Sequence, residues 1–184
     1  MTLSQRVGGA SAQLAGPVSF TVALDPQAAP SAADQDARGA FQAKLQTLRR
    51  DLAASLELAV STSTRLDAIK RALDATPAAP RALHDQARAL QKRLHAILEE
   101  LRGDRTLGSR SVPAPAAISE RANTISRDLN RTLSRQTTTH EQQYQIASEL
   151  FAVQRSNLKQ LVEVDLAALE KELERAGAPY TPRQ

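Results

Sequence analysis

Residues 45–73 read LQTLRRDLAASLELAVSTSTRLDAIKRAL. Within them Leu45, Leu48, Leu52, Ser55, Ala59, Thr62, Leu66, Ile69 and Leu73 alternate steps of three and four. At 3.6 residues per turn that spacing lines one face, so the stretch reads as a helix with a heptad seam. Upstream, Ser31 stands at an N-cap position with Asp34 three residues on, a shortened capping box; downstream, Thr76-Pro77 stops the pattern. A helix is therefore expected over residues 31–75, a rod of roughly 65 Å at 1.5 Å per residue. The middle of its seam, Ser55, Ala59 and Thr62, is small and weakly polar, which predicts a close crossing or a soft spot.

The same spacing continues beyond the prolines. Leu83, Ala87, Leu90, Leu94, Ile97 and Leu101 predict a helix over 80–102, opened by Pro80 and stopped by Gly103. The short Pro77–Pro80 connection makes it antiparallel to the first. A third helix over 115–135 would bury Ile118, Ala122, Ile125, Leu129 and Leu133. A fourth over 139–176, capped by Thr138 with Glu141, would bury Tyr144, Ala147, Phe151, Leu158, Leu161, Leu166, Leu169 and Leu173. Between the second and third lies LRGDRTLGSRSVPAPAAI, residues 101–118, where helical spacing lapses. It is read chiefly as a joint, with Asp104, Arg105 and Arg110 as its candidate contact residues; Leu107 and Val112 would pin it to the bundle end.

The first 25 residues follow a different period. Thr2–Val7 roughly alternates and Gly8-Gly9 signals a turn. The second strand is expected where Val18, Phe20, Val22 and Leu24 recur at period two. Because an isolated two-stranded hairpin is marginal in water, this pair must dock on the helices or belong to a larger, truncated sheet. Residues 26–30 form a linker and 178–184 a tail.

Composition agrees with packed helices: among 184 residues, aromatics are 3% and Trp is absent, so the core is aliphatic. Zero Cys excludes disulfides, thiolate metal sites and cysteine nucleophiles. The surplus of 24 Lys+Arg over 20 Asp+Glu is thin and spread out, which argues against a nucleic-acid partner. No apolar run has the length of a membrane span, and residues 1–25 lack the pattern of a signal peptide.

No reaction emerges from the titratable residues. His84 and His95, eleven residues apart, are separated by about 16 Å of helical rise, too far for one metal; His140 stands at a helix start where it can help fill the first turn. The acidic groups Glu99 with Glu100, Glu163 with Asp165, and Glu170, Glu172 and Glu174 read as solvated mixed-charge faces, without the cleft that holds a glycosidase pair. Arg127, Arg131 and Arg135, with Arg121 nearby, form a basic stripe expected along one side of the third helix. Glu120 and Asp128 interrupt it and no stacking aromatics accompany it, so pairing with a neighbouring helix is the expected role. No catalytic, cofactor-binding or metal-ligating residue is assigned, and no cofactor is expected.

Three stretches carry a family resemblance: LRGDRTLGSRSVPAPAAISERANTI from Leu101, LVEVDLAALEKELERAGAPYTP from Leu161, and LSQRVGGASAQLAGPVSFTVALDP from Leu3. The chain resembles the C-terminal region of bacterial sortilin-like proteins with BNR-type repeats, large β-propeller proteins often labelled glycosyl hydrolases. The resemblance implies that residues 1–25 are the last strands of a truncated β-sandwich following the propeller, and that residues 31–177 are a helical C-terminal module. It implies an exported parent whose chemistry lies in the propeller. The propeller and sandwich would then be partners of this module.

The expectation is a mainly α protein: a four-helix antiparallel bundle with two long helices, preceded by a short residual β-hairpin. In an alternative arrangement the second and third helices run end to end beside the long pair, giving three columns. The functional expectation is a non-catalytic helical interaction or assembly module of a sortilin-like propeller protein. The alternatives are a glycosyl hydrolase by virtue of the missing propeller, or a basic helical nucleic-acid-binding protein.

Overall fold

The computed structural model describes residues 3–21, 30–104 and 115–178. It is mainly α, with four helices behind a two-stranded hairpin. Strands β1 (Leu3–Val7) and β2 (Ala10–Ala15) pair antiparallel around Gly8 and Gly9, whose φ of 57° and 87° fit a two-residue turn. The second strand thus lies ahead of the expected one: Val18–Thr21 is not strand, and Val22 and Leu24 fall outside the described residues. The physical reason is the turn. Gly8-Gly9 accepts positive φ at both positions and pairs the residues immediately flanking it, at far lower loop-closure cost than a distant partner.

Helix α1 spans Ala32–Asp74, 43 residues; α2 spans Arg81–Arg102 and α3 spans Ile118–Arg131. The last helix runs as α4 (Thr138–Gln160), one π-helical segment (Leu161–Leu166) and α5 (Ala167–Arg175). Ser31 caps α1 as expected, its Oγ accepting from Asp34 N at 3.1 Å and donating to the Asp34 carboxylate at 2.7 Å. The α1 seam is buried throughout except Ser55, which is half-buried.

Polar contacts set the directions. Gln91 of α2 meets Asp67 and Lys70, Ser126 of α3 meets Arg49, and the Leu129 carbonyl meets Arg38. Numbers on α1 fall as those on α2 and then α3 rise, so both short helices run antiparallel to α1, one after the other. Arg155 and Glu170 of the last helix instead meet Asp51 and Arg65, and Arg135 just ahead of it lies near Asp34, so the last helix runs parallel to α1. Four helices therefore stand in three columns. The two sequential pairs are antiparallel, and 22 and 14 residues in one column face the 43 of α1.

At the joint, a Cβ on Gly103 would lie 3.5 Å from the Ala117 Cβ, and Leu101 and Ile118 enter the same core cluster. The chain leaves this column and returns to it at nearly one point. Leu66, Ile69 and Leu73 of α1, Leu94 and Leu101 of α2, and Leu158, Leu161, Leu166 and Leu169 of the last helix are almost fully buried. A second cluster joins Phe41 and Leu45 to Ala122, Ile125 and Leu129, closed by an edge-on Phe41–Tyr144 contact at 5.6 Å.

Two helix ends differ from expectation. Helix α3 stops at Arg131 rather than 135, and Leu133 is exposed rather than buried. Leu129 already stands beside Arg38, within two turns of the start of α1, so a further turn has little left to pack against. The N-cap of α4 is Thr137, not Thr138: its Oγ1 accepts from His140 N at 3.3 Å, while its own N–H donates to His140 Nδ1 at 3.2 Å. Both ends of that reciprocal pair are satisfied, and Glu141 is left to accept from Gln136 at 3.1 Å. Replacing Thr137 with Ala is expected to cost about 1 kcal/mol, measured as a lowered urea midpoint at unchanged m.

The π-helical segment follows from leucine spacing. From Leu158 the buried positions step by three to Leu161, by five to Leu166, by three to Leu169 and by four to Leu173. In a regular α-helix a step of five lands about 140° away from the starting face. One i→i+5 turn absorbs the extra residue and keeps both leucines on the core.

Candidate functional site

Since α1 and the last helix run parallel with the third column on one side of them, the opposite side is an open groove. Its widest part, about 840 Å³, has Leu48, Tyr144 and Phe151 at its base and Lys44, Arg155 and Lys159 at its rim. It shares Asp51, Arg155 and Lys159 with a neighbouring section of about 400 Å³ that reaches Leu58 and Val162. Those two residues also line a last section of about 240 Å³, beside Thr62, Arg65 and Arg71. The result is one continuous trough from Ala43 to Arg71 along α1. At 1.5 Å per residue it is about 42 Å long.

Small side chains form the walls. Ala43, Thr47 and Ser55 stand on α1, and Ser148, Ala152 and Ser156 repeat every fourth residue on α4. Ser148 Oγ is shielded in its wall without a hydrogen-bond partner. The small stretch foreseen in the α1 seam thus divides: Ala59 and Thr62 are buried, and Ser55 opens onto the trough. Thr62 Oγ1 donates to the Leu58 carbonyl at 2.7 Å, which lets a hydroxyl sit in an apolar seam.

Arg65, which lines the far section of the trough, forms an ion pair with Glu170 of α5. Glu170 is buried at 6% exposure, which corrects its assignment to a solvated acidic face. The reason is tertiary: the π segment shifts the phase of α5 and turns Glu170 inward beside Leu169. Glu172 and Glu174 are exposed.

The histidines face carboxylates: His84 lies 3.7 Å from Asp74, His95 3.3 Å from Glu99, and His140 Nε2 3.7 Å from Asp128. Because His140 Nδ1 accepts the Thr137 N–H, its ring proton is on Nε2 in the neutral form, toward Asp128. Among the described residues, no three His, Asp or Glu side chains converge to hold a metal ion. Glu163 and Asp165 also separate, Asp165 binding Arg93 of α2 at 2.6 Å and Glu163 lying 3.8 Å from Lys159.

Of the expected contact loop, Asp104 is half-buried beside the joint, while Arg105 and Arg110 lie outside the described residues. The basic stripe is helical only through Arg127 and Arg131, both exposed. Arg127 donates to Thr124 at 3.1 Å, and Arg135 lies beyond the helix, 3.7 Å from Asp34. Arg121 donates to the Ala116 carbonyl at 3.1 Å and to Gln143, and so ties α3 to α4. Among the described residues no helix is long and apolar enough to cross a membrane.

The sequence marks Leu48, Tyr144 and Phe151 as seam positions and Ser55 and Thr62 as part of a soft stretch, but not the trough that they line. A signal exists, the four-residue repeat of Ser148, Ala152 and Ser156, but small residues at that spacing can equally line a buried crossing. No protein-family model, curated protein or solved structure matches the chain.

Proposed function

We propose that this chain is a non-catalytic helical interaction module, the C-terminal part of a sortilin-like β-propeller protein. The observation that carries the interaction reading is the trough: two long helices present a continuous apolar floor with small-residue walls, a form that accepts another helix. Two further features support the placement. Every described residue of the β1–β2 hairpin is exposed, including Leu3, Val7 and Leu14, as expected of strands that complete a sheet elsewhere. Of the acidic side chains considered as paired acid and base, Glu163, Asp165 and Glu170 are instead each engaged with a basic residue across or along helices.

Sequencing the DNA immediately upstream of Met1 tests the placement. An in-frame propeller is the expected result, and a ribosome-binding site with no propeller before it overturns the parent assignment. Glycosidase assays of the chain itself test the rest: turnover by residues 1–184 alone contradicts a non-catalytic module.

A further inference from the structure

We propose that the trough between α1 and the last helix takes one amphipathic helix of a partner protein, whose apolar stripe is flanked by aspartate and glutamate. The inference deepens the interaction reading above and rests on it.

Length and shape point to a helix. A trough of about 42 Å matches roughly 28 helical residues, and its apolar base is supplied at helical intervals by Leu48, Leu58, Phe151 and Val162. Alanine and serine walls allow axes to approach to about 8–10 Å, the separation of packed helices. An extended strand would leave its backbone N–H and C=O groups against helix side chains, without a sheet edge to pair them. A flat anionic surface would meet the rim and leave the base uncovered.

Charge points to an acidic partner. The chain as a whole carries 24 basic and 20 acidic residues, but the trough is lined by five basic side chains against two acidic, Asp51 and Glu163. Arg65 is engaged by Glu170. Arg155 and Lys159 make only long, exposed pairs, at 3.7 Å and 3.8 Å. Lys44 and Arg71 make no side-chain ion pair among the described residues. The unpaired positive charge, Lys44 and Arg71, therefore stands along the α1 wall, while Arg155 and Lys159 on α4 are held only by long exposed pairs that a partner's carboxylates can replace, an arrangement that selects a helix with carboxylates beside its apolar face. Nucleic acid fits less well, because Phe151 is buried and Tyr144 is half-buried against Phe41, so the trough offers no row of exposed aromatic faces for bases to stack on.

The test uses the full chain and two fluorescent 28-residue helical peptides with leucine and alanine at heptad a and d, one with glutamate at e and g, the other with lysine. Fluorescence anisotropy is expected to show saturable binding of the glutamate peptide and binding of the lysine peptide at least roughly tenfold weaker. The exposed double change Lys44→Glu with Lys159→Glu is expected to reverse that preference, and Ala152→Phe, which fills the wall, to abolish binding of both. Circular dichroism confirms that each variant stays folded. Equal binding of both peptides, or failure of the glutamate peptide to bind, overturns the acidic-helix occupant. So does a concentration-dependent dimer of the chain that Ala152→Phe dissolves, which makes a second copy the occupant, and so does a DNA duplex that binds and is blocked by the same substitution. If no peptide binds while a propeller is encoded upstream, the occupant is wrong and the module assignment stands.

Discussion

Deleting Val164 is expected to leave the bundle folded, whereas deleting Val60 is expected to unfold it. Both valines are about half exposed, at 52% and 48%, so neither contributes much burial itself. What differs is the helix around them. Removing a residue from a regular α-helix rotates everything downstream by about 100°, and after Val60 that carries Leu66, Ile69 and Leu73 off the core. At about 1.5–3 kcal/mol for each buried side chain, the three together approach the whole stability of an ordinary domain. Removing Val164 shortens the Leu161–Leu166 step from five to four, the spacing an α-helix wants, and the π turn disappears without moving a leucine off its face. Urea denaturation followed by circular dichroism separates the two. If the Val164 deletion is as damaging as the Val60 deletion, the π segment is not a one-residue register correction.

Glu170→Ala is expected to cost about 3 kcal/mol, toward the low end for breaking a buried ion pair. It leaves the Arg65 guanidinium without its counter-charge, and Arg65 retains 23% side-chain exposure, so water offsets part of the loss. Changing both partners together, Arg65→Met with Glu170→Leu, is expected to recover most of the loss, because two apolar groups need no desolvated charge balanced. A double variant no more stable than Glu170→Ala, by urea midpoint at equal m, contradicts this account.

Most of the helices were legible because their apolar residues recur at a single period. The α1 seam apart from half-buried Ser55, and the α2 face from Leu83 to Leu101, are buried as that period requires, and Leu158 to Leu173 are buried with one five-residue step that a π turn absorbs. The failures share a cause. Leu133 continues a periodic pattern that the protein does not use, because α1 begins too near Leu129 to cover it. The hairpin was misplaced because Val18–Leu24 has the stronger alternation, while the turn chemistry of Gly8-Gly9 selects Ala10–Ala15. The capping box moved by one residue within a run of threonines, to the position where His140 could return the hydrogen bond. Glu170 looked solvated because its neighbours in sequence are charged, and its burial depends on a phase shift that begins at Leu161. That five-residue step was visible in the sequence, and it is the signal that would have placed Glu170 inside.

By itself, the sequence determined what is local: which stretches are helical and which face each helix buries. Periodicity and caps act within a few turns, so they can be read along one chain. Only the tertiary structure decided how the columns stand, because that depends on where the chain re-enters after Gly103, and Ala117 lies against it. That one placement stacks α3 upon α2, sets α1 and the last helix parallel, and leaves between them the basic-rimmed trough on which the proposed interaction rests.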